Sequence, residues 1–195
     1  MADERLKILV IDDNPVRAAV IELGLKEAGH ENIAVLADMR NLLRRIVDAE
    51  PDVIIIDLEN PDRDVLDEMF QVSRTVPRPV AMFVDQSDRS SIEAAMDAGV
   101  SAYVVDGLRK ERVKTILDMA ISRFNVYRRL RDELAGAKQA LEDRKLIERA
   151  KGILMKSKGL SEEAAHALLR TTAMGESRRV AEVAQSLITA AKLLG

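Results

Sequence analysis

The chain has 195 residues, enough for one large domain or two small ones, and 47% of them are hydrophobic, which supplies a core and argues against disorder. It holds no cysteine and only two histidines, His30 and His166, so a disulfide framework and a thiolate- or histidine-based zinc site are not expected. The net charge of −3 hides a split: residues 1–121 carry 15 Lys and Arg against 24 Asp and Glu, a net of −9, and residues 122–195 carry 15 against 9, a net of +6. Only the second part is suited to a polyanion. The charged start, Met1-Ala2-Asp3-Glu4-Arg5, runs straight into an apolar stretch and is not expected to be a signal peptide. No apolar run approaches the ~18 residues of a membrane span, so a cytoplasmic protein with no membrane partner is expected.

Residues 1–121 alternate strand and helix patterns. Leu6–Ile11 is a short apolar run, and Val16–Ala28 reads as a helix closed by Gly29. Asn32–Leu36 is a short strand, and Met39–Ala49 is an amphipathic helix carrying Leu42, Leu43, Ile46 and Val47. After Pro51 comes the strand Val53–Asp57, then a looser segment, Leu58–Asp64, and the helix Val65–Thr75. Pro77 and Pro79 bracket the entry to the strand Val80–Val84; Ser90–Ala98 is a helix stopped by Gly99, Ala102–Val105 a strand, and Arg109 starts the next helix. Near-continuous apolar strands alternating with amphipathic helices predict a parallel sheet covered on both faces, an α/β domain of flavodoxin-like size and order with five strands.

From about Lys110 to Ser157 there is no proline, which predicts a long helix needing a partner. Tyr127, Leu134 and Leu141 lie seven apart, with Leu130 and Ala137 at the alternate seam positions and charged flanks. This is coiled-coil spacing and predicts a homodimer seam in a linker helix over 122–145. Gly159 ends that helix, and Ser161-Glu162-Glu163 opens another as N-cap and acidic first turn. A break at Gly175 leads to a last helix holding Val180, Val183, Ala184, Leu187, Ile188 and Ala191.

The chemistry concentrates in two places. Asp12, Asp13 and Asp57 follow apolar strands and are expected to converge at the carboxyl edge of the sheet, where open α/β folds bind ligands. Close carboxylates repel unless a hard cation neutralises them, and Mg²⁺ with retained waters suits such an open site. A carboxylate so placed can attack a phosphoryl group. On the helix Leu141–Ser157, Ile147, Ala150, Ile153 and Leu154 have inward spacing, while Lys145, Arg149, Lys151 and Lys156, with Arg170, Arg178 and Arg179 further on, are candidates to line a surface that binds a phosphate backbone. With three Phe, two Tyr and no Trp in the chain, aromatic stacking is not the main device for gripping a nucleic acid.

Over residues 6–121 the chain resembles the receiver domain of bacterial two-component response regulators. The resemblance implies that Asp57 is the phosphoacceptor candidate, that Asp12, Asp13 and Asp57 hold Mg²⁺, and that the backbone carbonyl of Glu59 adds a further ligand. Receivers usually place Ser or Thr at the end of the fourth strand, where Val84 stands here, followed by Asp85, and Lys at the end of the fifth, where Asp106 stands. Losing a cation and gaining a carboxylate raises the electrostatic cost of a phosphoryl group, since unit charges about 4 Å apart interact by ~4 kcal/mol at an effective dielectric near 20.

Residues 132–195 resemble the ANTAR domain, a small three-helix RNA-binding module of transcription antiterminators. The match runs through Leu141-Glu142-Asp143-Arg144-Lys145-Leu146-Ile147-Glu148-Arg149-Ala150-Lys151-Gly152-Ile153-Leu154-Met155, then Gly159–Ala164, Leu168-Leu169-Arg170 and Ala173-Met174; His166 stands where the family often has an aromatic residue. Receiver, coiled coil and ANTAR together resemble the AmiR/NasT regulators. Pro79–Asp88 and Tyr103–Leu108 look most similar to the NasT, nitrate-assimilation branch, where the altered receiver positions belong to the pattern. The resemblance implies a non-enzymatic antiterminator that binds paired hairpins in leader RNA and is held by an inhibitory nitrate-sensing protein. The rivals are an ANTAR regulator switched by a sensor kinase through Asp57, a DNA-binding response regulator and a protein-interaction adaptor. DNA reading is disfavoured because Val180–Leu194 is mostly Ala, Val, Leu and Ile, with Lys192 its only basic residue.

Overall fold

A computed structural model describes residues 6–59 and 61–194. The charged start at 1–5 and, within the looser segment, Asn60 lie outside the described residues. The chain divides into two compact units, Met1–Arg128 and Arg129–Gly195.

In the first unit the elements run β1 (Ile8–Ile11), α1 (Pro15–Glu27), β2 (Ile33–Leu36), α2 (Leu42–Ala49), β3 (Val53–Leu58), α3 (Arg63–Thr75), β4 (Val80–Val84), α4 (Arg89–Asp97), β5 (Ala102–Val105) and the start of α5 (Lys110–Lys158). The strands form one parallel sheet in the order β2-β1-β3-β4-β5, the flavodoxin-like arrangement that the alternating pattern predicts. Successive side chains of each strand face opposite ways, which divides the core in two. Leu9, Ile11, Ile54, Ile56, Val80 and Met82 pack with Leu42, Ile46, Met69 and Phe70 of α2 and α3 on one face. Ile8, Val10, Val53, Ile55, Ala81 and Phe83 pack with Ile21 and Leu25 of α1 and Val113, Ile116 and Leu117 of α5 on the other.

Caps explain where the helix bounds depart from periodicity. Asn14 accepts hydrogen bonds from the backbone N–H groups of Val16 and Arg17, so α1 starts at Pro15. Asp62 accepts from the Val65 N–H and starts α3 two residues earlier than its apolar pattern. The expected helix from Met39 starts only at Leu42, because Asp38 accepts from the Arg40 N–H and Asn41 takes a left-handed conformation (φ 53°). Gly24 is where α1 meets the start of α5: a Cβ there would lie 2.7 Å from the Lys110 carbonyl oxygen, so only glycine permits that approach.

The second unit is all-helical: the remainder of α5, α6 (Glu162–Gly175) and α7 (Val180–Leu194). Gly159 (φ 65°) ends α5, and the Ser161 hydroxyl accepts from the Ala164 N–H to cap α6. Ala150 and Leu154 of α5, Ala165, Leu169 and Ala173 of α6, and Val183, Ala184 and Ile188 of α7 form its core. Among the described residues no helix is long and apolar enough to cross a membrane.

Candidate functional site

In the first unit, the carboxyl edge of the sheet brings Asp12 and Asp57 together, both buried. Asp12 anchors the β1–α1 turn by accepting from the Asn14 N–H at 2.8 Å, and its other oxygen, Oδ2, has no hydrogen-bond partner among the described residues. Burial, reinforced by the neighbouring Asp57 carboxylate, pushes the Asp12 carboxyl up to about 7.

Asp57 is fully buried, and a buried charge requires compensation. Arg17, on the first turn of α1, supplies it. Its Nε and one terminal nitrogen donate to the two oxygens of Asp57, each at 2.7 Å, and the other terminal nitrogen donates to Asp85 at 2.8 Å. This is the fork geometry in which a guanidinium binds a carboxylate most strongly. Hydrogen bonding to Asp57 holds the Arg17 guanidinium still more firmly charged than usual.

The other expected ligands lie differently. Asp13 is exposed; Glu59, whose backbone carbonyl is the expected ligand, uses its carboxylate to accept from the Asn14 side-chain amide at 3.2 Å. Asp106, at the end of β5 in a left-handed conformation (φ 48°), lines an open groove with Arg17, Asp85 and Arg109. Receiver domains commonly bind Mg²⁺ at their acidic site. Here Asp12 Oδ2 suits a cation, but both oxygens of Asp57 are taken by Arg17, and no group of three or more acidic or histidine side chains able to hold a metal occurs among the described residues. Of the expected ligands Asp12 and Asp57 are brought together, Asp13 stands exposed, and the Arg17 guanidinium lies against Asp57.

In the second unit the candidate cations separate into two groups. Lys145, Arg149 and Lys156 follow i, i+4, i+11 spacing and share one face of α5; all are exposed. Lys145 makes a surface pair with Glu142, while Arg149, Lys156 and the exposed Arg170 of α6 have no ion pair among the described residues. Gly152 lies on the same α5 face, and a Cβ there would meet no atom within 4 Å.

The remaining three hold the unit together. Lys151 is almost covered, and its ammonium bridges Glu148 at 2.8 Å and Glu162 at 2.6 Å, tying α5 to α6. Both glutamates push the lysine up, and Lys151 in turn holds Glu162 below the usual range. Arg178 donates to Glu176, to the Glu182 carbonyl and to the Ser186 hydroxyl, and Arg179 pairs with Glu182 and with Asp143 of α5. Of the expected basic surface, Lys145, Arg149, Lys156 and Arg170 are exposed, Arg178 and Arg179 are exposed but held in ion pairs, and Lys151 alone is covered. Sequence reasoning overlooked Arg17 altogether. The available signal was a cation on the first turn after the acid pair, in a chain that adds Asp85 and Asp106 to the same edge.

Comparison with known proteins accords with this division. Residues 8–118 match the response regulator receiver domain family and residues 135–188 the ANTAR domain family. The chain is 31% identical over 181 residues to the transcriptional regulatory protein PdtaR of Mycobacterium tuberculosis, covering 91% of this chain and 88% of that protein. It is 41% identical over 76 residues to a nitrate regulatory protein of Klebsiella oxytoca, covering 39% of this chain and 19% of that protein. Among solved structures, a signal receiver domain of a modulated diguanylate cyclase from Desulfovibrio desulfuricans (TM-score 0.52, 16% identity, 62% of this chain and 96% of that one) shares the fold. So does a pilus assembly-related protein from Burkholderia pseudomallei (TM-score 0.55, 19% identity, 63% and 94%). With a receiver fold, an ANTAR match and a relative aligned over nearly its whole length, this chain belongs to the response regulators that join a receiver domain to an RNA-binding ANTAR domain.

Proposed function

We propose that this protein is a non-enzymatic, cytoplasmic transcription antitermination regulator that grips paired hairpins in leader RNA. Lys145, Arg149 and Lys156 on one face of α5, with Arg170 of α6, contact RNA phosphates and unstacked loop bases, while Lys151, Arg178 and Arg179 keep the three helices in place. The observation that carries this reading is the exposed α5 face within the ANTAR-matched segment, where Arg149 and Lys156 form no ion pair among the described residues. Basic side chains on a rigid helix bind phosphate without an ordering cost in the backbone.

Two copies are proposed to pair through Tyr127, Leu130, Leu134, Ala137 and Leu141 of α5, which suits an RNA target with two hairpins. Tyr127, Leu130, Leu134 and Leu141 are each more than half exposed in the single chain, an arrangement that favours coverage by a second seam of the same spacing. The receiver is proposed to answer to a protein partner, an inhibitory nitrate- or nitrite-responsive sensor. Support for that partner class comes from the Klebsiella relative's name and from a pocket in which Arg17 already satisfies Asp57. The rival, phosphorylation of Asp57 by a sensor kinase with Mg²⁺ on Asp12, has the unpartnered Asp12 Oδ2 in its favour.

The test is a gel-shift titration of the full chain against a two-hairpin leader RNA, a single-hairpin version and duplex DNA of equal length. Preference for the two-hairpin RNA supports the reading, and equal binding of all three contradicts it.

A further inference from the structure

The receiver's acidic pocket contains a cation of its own, and its placement is built rather than incidental. Arg17 is seeded on the first turn of α1 by the Asn14 cap, which fixes the backbone from which the side chain reaches the sheet edge. Its side chain is 18% exposed, its main partner Asp57 is fully buried, and both oxygens of Asp57 are engaged at 2.7 Å. The free arm of the fork closes on Asp85 at 2.8 Å.

We infer that Arg17 is the resident counter-ion of this receiver, occupying the place of a divalent metal so that the pocket neither needs nor admits one while the Arg17–Asp57–Asp85 clasp is closed. Three observations support this. A divalent ion bound by Asp57 would have to displace a bidentate hydrogen-bonded pair whose partner carboxylate has no access to water. The acidic residue at position 85 gives the guanidinium a second full charge to hold, which a neutral hydroxyl there would not. The groove beside the clasp has Asp106 at the end of β5, so that strand end contributes no cation to Asp57 and the compensating charge comes from α1.

The experiment is Mn²⁺ titration of the full chain, followed by electron paramagnetic resonance of the free ion, on the wild type, Arg17→Ala and Asp85→Asn. The wild type is expected to show no saturable site at millimolar Mn²⁺. Arg17→Ala removes the positive charge and frees both Asp57 oxygens, and is expected to bind one Mn²⁺ at least about tenfold more tightly than wild type. Asp85→Asn loosens one arm while leaving Asp57 paired, and is expected to fall between the two. Circular dichroism establishes whether each variant is folded. Should Arg17→Ala fail to fold, the Asp85→Asn result decides alone. Saturable Mn²⁺ binding by the wild type overturns the inference, as does a folded Arg17→Ala, or with that variant unfolded a folded Asp85→Asn, that gains no affinity.

Discussion

Lys151, its side chain almost covered by protein, reaches Glu162 across 2.6 Å and joins α5 to the first turn of α6. A cation that looks from the sequence like part of a nucleic-acid surface is a structural tie. Lys151→Ala is therefore expected to lower the thermal midpoint of the C-terminal unit and to leave the salt dependence of RNA binding unchanged. The tie is strongest while Glu162, held below the usual carboxylate range by Lys151, is ionised. Its contribution is fully present above the ordinary glutamate value and is lost as pH falls through the lowered one. Thermal unfolding of wild type and variant across the acid range checks both points, with the two curves converging at the acid end.

Gly152 sits mid-helix on the face shared by Arg149 and Lys156, and no protein atom would contest a Cβ there. A glycine inside a helix costs about 1 kcal/mol relative to alanine, so intramolecular packing does not account for it. On the proposed RNA-binding role, close approach of RNA backbone does. Gly152→Ala is expected to stabilise the C-terminal unit by about 1 kcal/mol in urea unfolding and to weaken hairpin binding by about tenfold. A gain in stability with unchanged affinity would contradict this role.

Leu130 and Leu134 are each 55% exposed on a helix with charged flanks. Replacing both by Glu puts four carboxylates into the proposed seam of a dimer. Sedimentation equilibrium should show a concentration-dependent dimer for wild type, and for the double variant an association weakened by at least about a hundredfold. Equal molecular masses at all concentrations would dismiss the seam.

Asp12, pushed up to about 7 by burial beside Asp57, makes stability depend on pH in the sense opposite to that of a salt-bridged acid. The folded chain keeps the Asp12 proton between about pH 4 and pH 7, where the unfolded chain has released it. Stability contributed by this group is present at low pH, falls as pH rises through that window, and is flat above it. In buffer with a chelator, Asp12→Asn is expected to gain about 1 kcal/mol or more over wild type near pH 8 and to lose that advantage below about pH 4. A difference independent of pH would contradict the assignment.

The fold was readable because its signals are local. Apolar runs such as Ile54–Ile56 and Val80–Val84 mark buried strands, and the Ser161 and Gly159 signals mark the α5–α6 turn. The start of α2 was not, since a side-chain turn at Asp38 and a left-handed Asn41 override the periodicity of Met39–Ala49. The Arg17 clasp joins residues 40 and 68 positions apart, and nothing in a linear pattern says which of many arginines will meet which aspartate. Lys151 was legible in principle: it lies four residues after Ile147 and three before Leu154, on the flank of the inward face, where a lysine is more often tied than free.

The most direct test of the RNA-binding account is the salt dependence of affinity for the two-hairpin RNA. It compares wild type, Arg149→Ala/Lys156→Ala and Lys151→Ala. Each lost phosphate contact lowers the slope of log affinity against log salt by roughly 0.7–0.9, so the double variant should bind more weakly with a slope shallower by roughly 1.4–1.8 for each protomer bound. The Lys151 variant, where it remains folded, should keep the wild-type slope. An unchanged slope in the double variant would contradict the claim that this face of α5 holds the RNA.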